Sequence, residues 1–481
     1  MMVQPEMIVR QLFRQWSGNE PDLVQPIAAS GSSRKYFRMG QGGNTVIGAY
    51  NPDQSENNAF IYLSRHFLRI GLPVPEILAE DLKAGAYLIT DLGDHILYSQ
   101  IISRGQADQV PDHIYRQLAS SVRMLPHFQV RGRNGLDWSV CYPRSSFDMQ
   151  SMMWDLNYFK YYILKTSGIT FNEQLLENDF RHFADFLMQA GQDYFMYRDF
   201  QSRNIILHNN RPYFIDYQGG RKGPLQYDLV SFLYQVKARL PDDIREKLIE
   251  EYLEELAKLE QIDHDLFIKY YYPFAYLRMM QVMGAYGFRG LFEKRPHFAD
   301  SLEPAIAALA RLINIHPLEP ELTELKSALR KLTQCSKYLH IHHKKSDLTV
   351  SINSFSYKNG IPDDQNGHGG GFVFDCRSLP NPGRLEMFKE HNGRDKEVIN
   401  YLKKFREVDK FLYSVFDICD NAVENYIERK FTSLSISFGC TGGQHRSVFC
   451  ADRLFEHLSS KYVIGVKLYH REQQITETSN P

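Results

Sequence analysis

The chain lacks the features of a secreted, membrane-spanning or nucleic-acid-coating protein. Its six cysteines are scattered, with no CxxC pair, which is typical of a reducing compartment. No apolar run reaches the roughly 18 residues needed to cross a membrane, and the amphipathic N-terminus does not read as a signal peptide. The net charge of −1 gives no sign of a surface built to bind an anionic polymer or membrane. These absences predict a cytoplasmic protein without membrane contact.

The 481 residues exceed what one ordinary core holds, so several domains are expected. Residues 1–95 predict a small α+β unit, and 96–317 are dominated by helical patterns. Residues 318–346 predict a helix and a basic linker, and 347–475 alternate strand and helix patterns. The linker carries the sequence HIHHKK. Mixed histidine spacing beside two lysines favours a solvated linker over a metal site.

The stretch YRDFQSRNIILHNNRPYFIDYQ carries the strongest chemical pattern. Asp199 and Asn204 lie five residues apart, and Asp216 follows after two short strands whose junction is typical of a hairpin turn. Phosphoryl transfer needs a carboxylate near the attacking hydroxyl and oxygen ligands that hold Mg²⁺. Asp199 is the candidate for the first role, and Asn204 and Asp216 for the second. Each acid taken alone would read as a cap or turn residue.

This stretch, with SSRKYFR, LITDLGD and GPLQYDLVSFL, resembles the aminoglycoside-phosphotransferase branch of the protein-kinase-like fold. Within it, the segments are similar to bacterial kinases of N-acetylmuramate and N-acetylglucosamine. The resemblance covers roughly residues 5–315 and implies a two-lobed, ATP- and Mg²⁺-dependent sugar kinase. It implies that adenine lies against the connector at Thr90 and Leu92, and that the turn carrying Ser32 and Ser33 covers the phosphates. Lys35 is the candidate cation of that turn.

Several positions depart from the wider kinase pattern. Tyr197 stands where the catalytic loop usually has histidine, and the strand TVIGAY lacks the phosphate-holding lysine of protein kinases. Lys35 or Arg38 could supply that charge, and either could equally be a solvated strand residue. Asp228 is expected to brace the backbone of the catalytic loop. Asp155 is expected to be a helix-surface acid, with a sugar contact as the alternative.

A second pattern, FGCTGGQHRSVF, joins a buried strand to an amphipathic helix. Backbone N–H groups at a helix start favour an anion, and Gly442 and Gly443 permit close approach of a ligand. Arg446 can grip a phosphate through two hydrogen bonds. Cys440 has the Cys-x5-Arg spacing of cysteinyl-phosphate phosphatases, but no general acid is identifiable. Cys440 could equally be a small core residue.

The segments SFSYKNGIP, FVFDCRSLPNPG and GCTGGQHRSV resemble, in order, the C-terminal domain of the RNase adapter family, RapZ. The resemblance covers about residues 348–472 and implies a site for glucosamine 6-phosphate and, in some members, regulatory RNA. The P-loop domain usual in that family is absent. By position, the residues implied to line the sugar-phosphate site are Asp375, Arg377, Thr441, Gly442, Gly443, His445, Arg446 and His470.

RNA is the least supported of the implied partners. Residues 346–481 hold 17 Lys and Arg against 18 Asp and Glu, and the basic tail of the family is missing. Since RNA affinity comes largely from phosphate neutralisation, a near-neutral domain weakens that expectation. A local basic patch and a homo-oligomer both stay open.

The sequence therefore predicts an α+β two-lobed kinase-like domain followed by an α/β domain with a strand–loop–helix phosphate cradle. The favoured function is phosphorylation of an amino-sugar hydroxyl, coupled to binding of an amino-sugar phosphate. The alternative is a regulatory adapter that binds sugar phosphate and RNA or protein, with weak kinase activity. A cysteine-dependent phosphatase is the third hypothesis.

Overall fold

A computed structural model of the protein describes residues 4–27, 34–104, 109–293, 295–335, 346–363 and 371–479. The chain divides into two compact units. The first comprises Met1–Gly284 and Pro304–Thr333, and the second comprises Ala285–Glu303 and Gln334–Pro481. Within the described residues, no helix combines the length and the apolar character that a membrane crossing requires.

The first unit begins with an antiparallel five-stranded sheet in the order β1-β2-β3-β5-β4. Helix α1 packs on this sheet so closely that a Cβ on Gly48 would lie 2.1 Å from Val9 Cγ1. The predicted small α+β unit is thereby confirmed. Its elements are α1 (Pro5–Ser17), β1 (Leu23–Ile27), β2 (Lys35–Gln41), β3 (Asn44–Tyr50), α2 (Gln54–Arg69), β4 (Ile77–Asp81) and β5 (Ala86–Thr90).

The rest of the first unit is mainly helical, as the apolar periodicity predicts, with two short strand pairs inserted. The helices up to the inserted strands are α3 (Leu97–Ser103), α4 (Asp112–Pro126), α5 (Met149–Phe159), α6 (Lys165–Ser167) and α7 (Glu173–Met188). The strands are β6 (Tyr194–Met196), β7 (Ile205–His208), β8 (Arg211–Phe214) and β9 (Arg221–Gly223). The helices that follow along the chain are α8 (Leu225–Leu233), α9 (Asp242–Ala257), α10 (His264–Tyr286), α11 (Pro296–Ala299), α12 (Leu302–Ile315) and α13 (Thr323–Thr333). Of these, α11 belongs to the second unit, as do the last two residues of α10 and the first two of α12.

The predicted hairpin is present as the pair β7–β8. Its two turn residues, Asn209 and Asn210, have φ values of 50° and 60°, the left-handed values that a tight two-residue hairpin turn requires. Ile205 pairs with Phe214, and the Ile215 N–H donates to the Asn204 carbonyl at 3.0 Å. The hairpin therefore brings Asn204 and the segment carrying Asp216 together.

The second unit contains a five-stranded sheet in the order β11-β12-β10-β13-β14. The first four strands are parallel, and β14 runs antiparallel along β13. Strand β14 is not anticipated from the polar tail ITETS, because alternating threonine and glutamate carry little apolar signal. The elements are β10 (Thr349–Ser356), β11 (Phe372–Asp375), α14 (Lys396–Leu402), α15 (Arg406–Glu428), β12 (Ser433–Cys440), α16 (Arg446–Lys461), β13 (Gly465–His470) and β14 (Ile475–Ser479).

An aromatic cluster centred on Phe67 joins α2 to the helical part of the first unit. The Phe67 ring meets Phe128, Phe195 and Tyr217 edge-on, with centroid distances of 5.1, 5.1 and 5.3 Å. All four side chains are buried. Edge-on pairs of this kind stabilise beyond the area they bury, so the cluster fixes the position of α2.

Truncation of this cluster is expected to destabilise the first unit strongly. Phe67→Ala should lower the free energy of unfolding by about 3–5 kcal/mol, because it leaves a cavity among three rings. The neighbouring Leu68 is 36% exposed, so Leu68→Ala is the matched control and should cost about 1 kcal/mol or less. Urea unfolding of both variants measures the difference. Equal losses would contradict the structural role of the cluster.

Candidate functional site

The backbone of the catalytic loop is held by a buried carboxylate. Asp228 of α8 accepts hydrogen bonds from the N–H groups of Tyr197 at 2.7 Å and Arg198 at 2.8 Å. Burial raises the pKa of Asp228 to about 7, while the two N–H bonds act in the opposite direction. The bracing role predicted for Asp228 is confirmed. The two bonds set the direction in which the chain enters Asp199.

Arg198 connects the loop to α5. Its backbone has φ of +75°, and its guanidinium donates to both oxygens of Asp155 at 3.0 and 2.9 Å. The same guanidinium donates to the Tyr227 hydroxyl at 2.6 Å and lies over the ring of Phe147. Asp155 is buried, so the expectation of a helix-surface acid is wrong. Both of its oxygens bind Arg198, which makes Asp155 a support for the loop.

The three residues predicted to carry the chemistry lie together. Asn204 Nδ2 donates to the carbonyl of Asp199 at 2.8 Å and to Asp216 Oδ2 at 3.2 Å. Asp216 Oδ1 accepts from Gln218 at 2.7 Å, and Asp216 adopts φ of +69°. The Asp199 side chain is 39% exposed, which leaves its carboxylate accessible to a ligand.

The electrostatics around Asp216 fit a bound cation. Burial, followed by the nearby charge of Asp199, raises the pKa of the Asp216 carboxyl above its usual value. Two neighbouring carboxylates, one of them buried, repel each other, and a divalent cation would offset that repulsion. The oxygens of Asn204 and Asp216 are of the kind Mg²⁺ prefers. The residues present therefore fit the predicted metal.

Tyr197, the departure from the usual histidine, has a defined role in the loop. Its ring is buried, and its hydroxyl donates to the carbonyl of Ile215 at 2.6 Å. This bond links the start of the catalytic loop to the residue before Asp216. Tyr197 therefore joins the two segments that carry the site.

Arg34 is a buried cation of the first lobe that the sequence interpretation missed. Arg34 Nη2 lies 2.8 Å from Glu56 Oε1 on α2, and Arg34 Nη1 donates to the Tyr36 hydroxyl at 3.1 Å. Lys35 is exposed at the start of β2, and Arg38 is ion-paired with Asp91 and Asp94 on the connector. The alternation of β2 places positions 34, 36 and 38 on one face, which is the signal that could have found Arg34.

The other residues predicted to contact the nucleotide are Ser32, Ser33, Thr90 and Leu92. Ser32 and Ser33 lie outside the described residues, as does the HIHHKK cluster. The Thr90 N–H donates to the Glu76 carbonyl at 3.1 Å, and the Leu92 carbonyl accepts from His208 Nδ1 at 3.1 Å. These two main-chain groups already have partners. A contact between adenine and the connector stays a prediction. It would involve main-chain groups of the connector other than the Thr90 N–H and the Leu92 carbonyl.

In the second unit, the predicted sugar-phosphate residues converge on one edge of the sheet. Strands β10, β11, β12 and β13 are parallel, so their carboxyl ends lie together. The predicted strand–loop–helix cradle is present between the end of β12 at Cys440 and the start of α16 at Arg446. Gly443 has φ of +64°, and a Cβ there would lie 2.4 Å from Glu472 Cγ. Only glycine fits that position.

Three side chains predicted to line this site are instead bound within the protein. Arg446 Nη1 donates to the carbonyls of Arg377 and Leu379 at 2.9 and 3.0 Å. His445 Nε2 donates to the Phe388 carbonyl at 2.8 Å. His470 is fully buried, and its Nδ1 lies 2.8 Å from Ser354 Oγ. The bonds of Arg446 and His445 hold the loops that carry their acceptors, because buried main-chain carbonyls need donors.

The groups that face solvent at this edge are fewer. Arg377 is 51% exposed, ion-paired with Asp375 at 2.6 Å, and its guanidinium lies 4.1 Å from the centre of the Tyr357 ring. Thr441 and Gly442 are exposed in the loop. The open part of the cradle is therefore the ion pair of Arg377 and Asp375, the latter 45% exposed, with the main chain of the loop.

Cys440 lies behind the loop. Its side chain is 3% exposed, and its Sγ is 3.1 Å from Ser447 Oγ. A phosphatase nucleophile must reach the phosphorus atom. The burial of Cys440 favours a structural role over the phosphatase hypothesis.

Comparison with known proteins agrees with this division of the chain. The phosphotransferase enzyme family matches residues 23–263, and the RapZ C-terminal domain matches residues 348–474. The chain belongs to the phosphotransferase enzyme family. A RapZ C-terminal domain follows the phosphotransferase region in the sequence.

Individual relatives match parts of the chain. A nucleotide-binding protein of Solibacter usitatus is 39% identical over 128 residues, which is 27% of this chain and 38% of that protein. A nucleotide-binding protein of Hahella chejuensis is 32% identical over 182 residues, 33% of this chain and 62% of that protein. The chain thus spans about half the length of the curated relatives it matches. Choline kinase from Cryptosporidium parvum aligns at 12% identity with a TM-score of 0.46, covering 68% of this chain and all of that one.

The ion pair between Arg34 and Glu56 yields a stability prediction. Glu56→Ala should lower the free energy of unfolding by about 3 kcal/mol, because it leaves a buried guanidinium without its carboxylate. The pair of Arg65 and Glu80 has the same 2.8 Å separation but a largely exposed arginine. Glu80→Ala is therefore the matched control and should cost about 1 kcal/mol or less. Denaturant unfolding of both variants is the measurement, and equal losses would contradict the burial argument.

Proposed function

We propose that the phosphotransferase unit transfers the γ-phosphoryl group of ATP to a hydroxyl group of an amino sugar. The observation that carries the proposal is the Asn204 side chain, which bonds the main chain of Asp199 and the carboxylate of Asp216 at once. These two bonds fix Asp199, on the side of the acceptor, relative to Asp216, on the side of the metal. Positioning of this kind is the larger part of catalysis of phosphoryl transfer.

Each residue has a distinct task in this proposal. The acceptor oxygen forms a bond to the γ-phosphorus as the bond to the ADP oxygen breaks, and the hydroxyl proton passes to Asp199. The oxygens of Asn204 and Asp216 would hold Mg²⁺, which when bound neutralises charge on the phosphates. We propose that Arg34, held by Glu56, supplies positive charge from the first lobe to the bound phosphates.

The charge around Asp199 supports a neutral or acidic acceptor rather than a cationic one. Arg278 Nη2 lies 3.9 Å from Asp199 Oδ1. Burial, and then the positive charge of the nearby Arg198, lower the pKa of the Arg221 guanidinium to about 10. A cationic acceptor would meet repulsion there. An N-acetylated or carboxylated amino sugar fits this environment.

We propose further that the second unit binds an amino-sugar phosphate at the carboxyl edge of its parallel strands. Arg377 and the exposed main chain at Thr441 and Gly442 are the groups placed to bind the phosphate. In this form the protein is a kinase joined to a sensor of a related sugar phosphate. The cysteines, which are scattered and form no CxxC pair, support a cytoplasmic location.

Loss of the acceptor-side carboxylate tests the kinase proposal. Asp199→Asn should reduce the rate of ATP-dependent phosphorylation at least 1,000-fold, since the hydroxyl loses its proton acceptor. Asp193→Asn is the control, because that side chain is 88% exposed in the same region. Product formation is followed with N-acetylglucosamine, N-acetylmuramate, glucosamine, choline and kanamycin. Full activity of Asp199→Asn would refute the proposal, and turnover of choline or kanamycin alone would refute the acceptor class.

The alternative adapter hypothesis is decided by the same panel. If no acceptor is phosphorylated by the wild-type chain while sugar phosphate still binds, the protein acts as an adapter with an inactive kinase fold.

Exposed Arg377 yields a separate binding prediction. Arg377→Ala should weaken binding of glucosamine 6-phosphate about 10- to 100-fold, which corresponds to one charge-assisted hydrogen-bonding group. Arg429 lies at the end of α15, just before β12 starts, and so at the opposite edge of the sheet. Arg429→Ala should leave the affinity unchanged. Isothermal titration calorimetry on the intact chain measures both, and unchanged binding by Arg377→Ala would exclude this edge as the site.

A further inference from the structure

A cavity of about 540 Å³ lies in the first unit, beside the segment that follows α8. Its walls come from that segment, α9, α10, α12 and the end of α3. The volume is within the range of small-molecule sites in proteins. The charged residues that line it are Arg104, Arg239, Asp242, Asp243, Arg245 and Arg311.

The lining carries an excess of positive charge. Four of its residues are arginines and two are aspartates, and one aspartate, Asp242, is ion-paired with Arg245. Arg239 and Arg311 are exposed, and neither has an ion-pair partner among the residues that the structure describes. Arginines that line a concave surface without partners concentrate a field that attracts anions.

Arg245 adds a second, independent observation. Its Nε is buried and has no hydrogen-bond partner within the described part of the chain. Its guanidinium lies 4.6 Å from the centre of the Tyr234 ring, which restricts its orientation. A buried donor without an acceptor costs free energy. Arg245 lines the cavity, and its contacts with Asp242 and the Tyr234 ring fix its position there.

The remaining walls suit the body of a small organic molecule. Leu240, Met279 and Ala307 line the cavity with apolar surface. An anionic group among the arginines and a ring or chain against these residues would use both kinds of wall. The chemistry described is that of a phosphate ester or carboxylate of roughly monosaccharide size.

The cavity is joined to the catalytic loop through one hydrogen bond. Gln235, which lines the cavity, accepts from the Ser202 hydroxyl at 2.7 Å. Ser202 lies between Asp199 and Asn204 and is buried. Met279 of the cavity wall directly follows Arg278, whose guanidinium is 3.9 Å from the Asp199 carboxylate.

We propose that this cavity binds a small organic anion, a phosphate ester or a carboxylate, next to the catalytic loop. Two sources have this chemistry. One is an anionic group on the acceptor itself, reaching from Asp199, and the other is a separate effector. A binding measurement tests whether the cavity holds an anion. Steady-state kinetics then decide whether that anion belongs to the acceptor or to a separate effector.

Binding is tested with inorganic pyrophosphate in magnesium-free buffer, by calorimetry on the intact chain. The double variant Arg239→Glu with Arg311→Glu should bind at one site fewer, or at least tenfold more weakly there. The matched control is Arg181→Glu with Arg211→Glu, two exposed arginines elsewhere in the same unit. The other phosphate sites are unaltered in both variants, so the difference reports the cavity. Lysine at 239 and 311 should restore most of the affinity, and identical isotherms for cavity and control variants would overturn the inference.

The kinetic arm rests on the proposed kinase function. Steady-state rates are compared for the same two double variants. A raised acceptor KM with unchanged kcat assigns the cavity to the anionic group of the acceptor. A changed kcat at saturating acceptor, together with loss of pyrophosphate binding, assigns it to an effector that acts on the loop. If both double variants bind pyrophosphate equally, the proposal of an anion site in the cavity is refuted, even if the protein phosphorylates its acceptor normally. The two proposals can therefore fail separately.

Discussion

Two hydrogen bonds from the main chain of Tyr197 and Arg198 to the Asp228 carboxylate determine where the candidate active site lies. They require Arg198 to take a left-handed backbone conformation, which a non-glycine residue adopts only when its surroundings hold it there. The bidentate bond from Arg198 to Asp155 provides that hold from α5. With the loop fixed, Asp199 projects outward and Asn204 turns back to reach Asp216. Weakening this support is expected to displace the catalytic groups together.

The two units position their sites in a similar way. In the first, charged side chains of Arg198 and Asp228 bind other parts of the protein, and Asp199 is left to meet a ligand. In the second, Arg446 binds main-chain carbonyls of the neighbouring loop, and Arg377 is left exposed. Arg198, Asp228 and Arg446 therefore act as supports. Alanine substitution of a supporting residue would disturb the loop and the ligand contact together, so the exposed residues are the better probes of binding.

Local sequence patterns predicted much of this arrangement. The hairpin that joins Asn204 to Asp216 and the strand–loop–helix cradle were readable from spacing and periodicity, and the bracing role of Asp228 came from the resemblance to the kinase-like family. The burial of Asp155 and the internal contacts of Arg446 and His470 were not readable from local patterns, because their partners are distant in the sequence: the Arg198 guanidinium, two main-chain carbonyls and Ser354 Oγ. Binding of a sugar phosphate by Arg446 and His470 stays a prediction. Strand β14 was missed because its pairing with β13, rather than its own composition, makes it a strand.

The hydrogen bond from the Tyr197 hydroxyl to the Ile215 carbonyl affects how the catalytic loop responds to pH. Burial raises the pKa of Tyr197 well above 10, so the phenol stays a neutral donor at neutral and acidic pH. An imidazole at this position would titrate near pH 6.5 and could change its charge and tautomer within a living cell. The link between the two halves of the phosphotransfer site is thus indifferent to moderate acidification, and loss of activity at low pH would have to originate at the carboxylates.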